Sequence, residues 1–209
     1  MSDLNILIDR LPKTVNIGSR DYRINSNFRT SILFEMMMQD STLTKKDKAI
    51  KALQLYFPEI PKDISRAFEK ITWFYGCGKT EKESSGSGGE EIRKSRVYSF
   101  EHDDDYIYSA FLFQYGIDLQ DTRYLHWWKF RAMFNALTEE NQFVKIMQYR
   151  SMKISADLPK EQKDFYKKMK KLYALPVSED EMEKTRAIEE ALMNGGDLTG
   201  LLDNRTDYE

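Results

Sequence analysis

The chain is poor in the residues that staple, coordinate or react: one cysteine, two histidines and five prolines stand among its 209 residues. A lone thiol, Cys77, excludes an intramolecular disulfide, and a chain of this size buries enough surface to hold itself without one. That thiol also fits a reducing cytosol. No apolar run approaches the roughly 20 residues a membrane span needs. Residues 1–10 carry Asp3 and Asp9 and no basic run ahead of a long apolar stretch, so no secretory signal is read there. Net charge is nearly absent as well, with 32 basic against 34 acidic side chains, which speaks against a general coat for nucleic acid.

What is present is aromatic and helical. Alternating apolar residues around Thr14-Val15-Asn16-Ile17 and Arg20-Asp21-Tyr22-Arg23-Ile24, joined by Gly18-Ser19, predict a β-hairpin within about residues 12–25. Asn25-Ser26 offers cap oxygens to a helix over 28–38, Thr44 to a second, and a third runs over 63–75 to Gly76. Between 80 and 96 the composition turns to Glu, Lys, Ser and Gly, which predicts a mobile loop because burial there cannot offset the ordering entropy. Further helices are predicted over 106–115, over 124–137 and from Thr138 to about Arg150. Residues 151–175 hold seven lysines against three acids, with Phe165, Met169, Leu172 and Tyr173 as a narrow stripe. Residues 176–209 hold ten acids against three bases, and Ser178 with Glu181 predicts one more capped helix ahead of an acidic tail. The expected fold is mainly α: a multi-helix domain over 1–175 with the small hairpin, and a C-terminal helical extension over 176–209.

Reactive chemistry finds little support. Gly76-Cys77-Gly78-Lys79-Thr80 resembles part of a phosphate-binding loop, but the glycine that motif requires five residues before Gly78 is Trp73. The run Glu101-His102-Asp103-Asp104-Asp105 points its side chains in different directions and reads as a helix start that complements the macrodipole. No nucleophile, base and orienting group are spaced to converge. The expectation is therefore a protein without catalytic, cofactor or metal residues. The lysines of 163–171 read as a solvated helix face rather than a phosphate contact.

The helix over 125–137 is apolar nearly all round, with Leu125, Trp127, Trp128, Phe130, Met133, Phe134 and Leu137 covering most directions. Such a helix is either central or shared with a partner. Arg131 either anchors a partner or pairs with one of Glu101, Asp103, Asp104 and Asp105 to join two helices. The strings Asp21-Tyr22-Arg23-Ile24, Tyr56-Phe57-Pro58-Glu59-Ile60-Pro61, Ile71-Thr72-Trp73-Phe74-Tyr75, Tyr98-Ser99-Phe100-Glu101-His102 and Leu125-His126-Trp127-Trp128-Lys129-Phe130-Arg131-Ala132 together resemble the bacteriophage gp-fifteen-type proteins of long, flexible-tailed phages and prophages in Gram-positive bacteria. The resemblance covers about residues 10–175.

What it implies is a tail-module protein that acts as an assembly chaperone, covering helices of the tape-measure chain until tail-tube subunits polymerise around it. Other tail proteins, or a second copy of the chain, are further partners in that reading. The alternative is a structural or connector component retained in the virion. Thioethers and flat rings repack readily against varied helices, so the expected partner-binding residues are Met36, Met37, Met38, Trp127, Trp128, Phe130, Arg131, Phe134 and Met147. Three consecutive methionines on one helix cannot all face inward.

Overall fold

In the computed structural model, residues 4–79 and 97–176 are described. The expected loop at 80–96 and the acidic helix and tail after 176 lie outside the described residues. Internal contacts group Met1–Leu175 as one unit and Pro176–Glu209 as a second; the hairpin and the described helices all belong to the first.

The fold is mainly α-helical, with seven helices among the described residues and one small hairpin. The hairpin pairs β1 (Thr14–Ile17) with β2 (Arg20–Arg23) antiparallel, in a register that sets Thr14 opposite Arg23 and Ile17 opposite Arg20. Its turn uses Gly18 at φ +68°, a conformation glycine enters without a Cβ penalty. Alternation turns Val15 and Ile17 to one face, and both are buried.

Local caps set the first three helices. α1 (Phe28–Gln39) starts at Asn27, whose side chain accepts the Arg29 N–H, one residue beyond the expected Asn25-Ser26 cap. Those two residues work at longer range: Asn25 donates to the Leu55 carbonyl at 2.6 Å, and the Ser26 hydroxyl meets Tyr124 Oη at 2.8 Å. α2 (Lys45–Tyr56) opens on Thr44, which accepts the Asp47 N–H at 3.1 Å. α3 (Ile64–Tyr75) opens on Asp63, which accepts the Arg66 N–H, and stops at Gly76. α4 (Asp104–Tyr115) ends on Gly116 at φ +64°.

Two helices start later than their patterns predict. α5 (Trp127–Asn135) begins three residues after Tyr124 because the backbone at 125–127 pairs with the entry to α1. Phe28 N–H donates to Leu125 O at 2.9 Å, and Trp127 N–H to Ser26 O at 2.8 Å. α6 (Gln142–Ser151) starts at Asn141 rather than Thr138, since Gln114 Oε1 accepts the Thr138 N–H at 3.0 Å and holds that residue outside the helix. α7 (Lys160–Leu172) follows Pro159.

The core centres on α5. Phe130 is fully buried and stacks on Phe28 at 5.0 Å and on Phe111 at 4.8 Å, between α1 and α4. Both tryptophan indoles turn to the end of α3, where Trp127 Nε1 donates to Tyr75 O at 2.9 Å and Trp128 Nε1 to Phe74 O at 2.8 Å. These bonds occupy carbonyls that a helix end leaves without an intrahelical partner. The nearly all-apolar character of α5 thus has a structural cause: neighbours surround it.

Candidate functional site

The residues expected to bind a partner divide sharply by position. Trp127, Trp128, Phe130 and Phe134 are buried, and rings of the same chain cover them. In this fold all four lie within the chain's own core: Trp127 and Phe130 are 0% exposed, Trp128 4% and Phe134 5%. Their apolar pattern reports centrality, not sharing. Met36, Met37 and Met147 are partly buried and pack against the core, while Met38 is exposed. Arg131 is partly buried and pairs with none of the four acidic residues expected for it. Its guanidinium lies over the Trp127 ring at 5.7 Å and donates to Tyr98 Oη at 3.2 Å.

Around Arg131 sits a small polar cluster. The Tyr75 hydroxyl donates to Glu35, tying the end of α3 to α1. Burial, with Glu35 beside it, holds the Tyr75 hydroxyl far above its ordinary range, so it stays a donor. Tyr98 is pushed up by the same causes. This cluster links α1, α3, α5 and the irregular segment at residue 98 without placing a reactive group in solvent.

The acidic run delivers a buried ion pair, but with another arginine. Asp103, buried at the start of α4, takes Arg150 of α6 in a two-pronged contact: Nη1 to Oδ2 at 2.6 Å and Nη2 to Oδ1 at 2.8 Å. Ser99 N–H also donates to Asp103 Oδ2 at 2.8 Å. Among the described residues, no group of three or more His, Cys, Asp or Glu side chains is placed to hold a metal ion.

The phosphate-loop lookalike has a packing role instead. Gly76 ends α3, and Gly78 adopts φ +79° with its backbone against the Trp128 ring, where an added Cβ would lie 2.9 Å from Cη2. Cys77 between them is partly buried, and that burial pushes its thiol up to about 11 and keeps it protonated near neutral pH. His126 is committed as well. Its Nδ1 accepts the Trp128 N–H at 3.1 Å as the cap of α5, which leaves Nε2 to donate to Pro12 O at 2.9 Å. Burial, followed by the charges of Lys13 and Lys129, lowers its pKa.

The exposed apolar surface lies elsewhere. Leu112 and Phe113 on α4, Leu33 and Met38 on α1, and Phe165 and Leu172 on α7 face solvent. The sequence held the signal for α4: Phe111-Leu112-Phe113 is a consecutive apolar run, and one helix cannot turn all three inward. A cleft of about 290 Å³ beside the start of α1 is lined by Lys13, Arg23, Asn25, Ser26, Thr30 and Tyr124 among others. Among the described residues, no helix is long and apolar enough to cross a membrane.

A family model described as Bacteriophage Gp15 protein matches residues 7–175. No curated protein and no solved structure matches the chain. The matched span contains both strands and every described helix.

Proposed function

Because the chain belongs to the bacteriophage Gp15 protein family, we propose that it is a non-catalytic tail assembly chaperone that binds helical segments of the tape-measure protein. It acts in the cytoplasm of the host bacterium while the tail tube assembles. The family match carries this reading, since it spans the whole helical unit. The protonated Cys77 and the doubly committed His126 agree with a role that needs no nucleophile or base. Exposed apolar side chains on α1, α4 and α7 supply contact area of the kind an amphipathic helix accepts.

Co-expression with the tape-measure protein encoded in the same genome, followed by affinity capture, tests the reading. Co-elution is expected. Mass spectrometry of purified virions separates the structural alternative: a chaperone is scarce or absent in the particle, and recovery in stoichiometric amounts overturns the chaperone role.

A further inference from the structure

The mismatch between sequence pattern and packing is largest at α7. Phe165, Met169 and Leu172 fall on one stripe of this helix, yet none of its residues is buried, and Phe165 and Leu172 are 49% and 64% exposed. The helix rests on α6 through Tyr149, whose ring takes Phe165 edge-on at 6.2 Å and stacks with Tyr173 at 6.0 Å. Only one edge of the stripe is therefore covered. At about 100° per residue, Phe165 and Leu172 project about 20° apart, and Lys168 follows about 40° further round.

The charge beside this edge is also left open. α7 carries six lysines against Glu161 and Asp164. Among the described residues, none of the six lies within ion-pair distance of a carboxylate. Asp164 and Lys168 have the spacing and order that favour pairing on a helix, and they do not pair. Lys163 and Lys170 turn back to the carbonyls of Ala156 and Met152. That leaves Lys168 and Lys171 about 40° and 100° beyond Leu172 on the outer side of the apolar edge, with Glu161 and Asp164 interleaved and Lys160 and Lys167 further round, a balance of four lysines to two acids.

We infer that the Phe165–Leu172 edge of α7 docks an amphipathic helix of a second protein whose apolar stripe is bordered by Asp or Glu. The inference rests on the proposed binding role and gives it a surface and a partner chemistry. Phe165 and Leu172 stand at the i, i+7 spacing of helix-in-groove anchors, and the unpaired lysines complement an acidic border. A lipid surface fits less well, because an interfacial helix sinks its whole apolar face into the bilayer and α6 already covers part of this one. Nucleic acid leaves the two apolar anchors without a role.

The test uses the full chain and three fluorescent probes. These are a 21-residue helical peptide with a leucine stripe and glutamate borders, the same peptide with lysine borders, and a DNA duplex; sedimentation with vesicles containing anionic phospholipid is a fourth arm. The glutamate peptide is expected to bind at least tenfold more tightly than the lysine peptide and to weaken at least tenfold between 50 and 500 mM salt. F165A/L172A removes binding at unchanged thermal stability, and K168E/K171E reverses the preference between the peptides. Equal affinity for both peptides, undiminished binding by F165A/L172A, or binding to DNA or vesicles alone overturns the inference. So does binding that emerges only after residues 177–209 are removed, since the occupant is then the chain's own acidic segment. Tape-measure capture that persists in F165A/L172A overturns this surface and leaves the proposed function standing, whereas peptide binding without such capture does the reverse.

Discussion

Replacing Arg150 with Met tests the packing logic at its most sensitive point. The guanidinium is held at four positions: Nε to Tyr173 O at 2.5 Å, Nη1 to Val97 O at 3.1 Å and to Asp103 Oδ2 at 2.6 Å, and Nη2 to Asp103 Oδ1 at 2.8 Å. The Arg150 and Asp103 side chains are 9% and 1% accessible, so water does not replace what is lost. Removing one member of a buried pair costs about 3–5 kcal/mol, because the other charge stays buried without its partner. For a chain of this length, each kcal/mol moves the midpoint by about 2–4 °C, so R150M should melt roughly 6–20 °C lower. Urea unfolding followed by tryptophan fluorescence gives the free energy directly. Adding D103N completes a double-mutant cycle whose coupling should reach about 2–3 kcal/mol. A loss below about 1 kcal/mol for R150M, or single effects that simply add, refutes the assignment of this pair as the tie between α4 and α6.

Gly78→Ala combines a positive φ with a Cβ 2.9 Å from Trp128, while Gly18→Ala meets only the positive φ; calorimetry should show the first losing about 1–3 kcal/mol more than the second. Phe130→Ala should cost about 3–5 kcal/mol in denaturant unfolding, and Phe113→Ala, on an exposed position, should stay within about 0.5 kcal/mol of the parent. His126 has a lowered pKa in the fold, so the native state binds fewer protons than the unfolded one and stability falls as pH drops below about 6.5. Urea midpoints at pH 7.5 and 5.0 should differ in that direction, and His126→Gln should flatten this part of the dependence.

The sequence makes α2 and α3 legible because their start signals are local. Thr44 and Asp63 bond to amides three residues ahead, so the cap and its partner occupy one short window. The start of α5 is not legible, since it depends on backbone pairing between residues 26–28 and 125–127, about a hundred positions apart. Thr138 has the chemistry of a cap, but its N–H is bound to Gln114 of α4 and the helix starts three residues later, at Asn141. Asp103 reads as a helix-start acid, but its partner Arg150 lies 47 residues away and nothing in the local pattern distinguishes that arginine from Arg131. The candidate site suffers the same ambiguity. An all-round apolar helix gives one pattern for two situations, and only the placement of Phe28, Phe111 and Phe74 around α5 decides between them.

That placement also limits where a partner can act. Each fully buried large side chain contributes about 1.5–3 kcal/mol, so exposing Trp127, Trp128, Phe130 and Phe134 together would forfeit about 6–12 kcal/mol. Whole domains of this kind are stable by only about 5–15 kcal/mol. A partner that had to open α5 would therefore have to replace most of the folding free energy before gaining any affinity. α7 faces no such constraint, because it has no buried residue to expose and already presents Phe165 and Leu172 to solvent. The energetics thus tie the aromatic centre to stability, while the proposed docking surface on α7 carries no such cost.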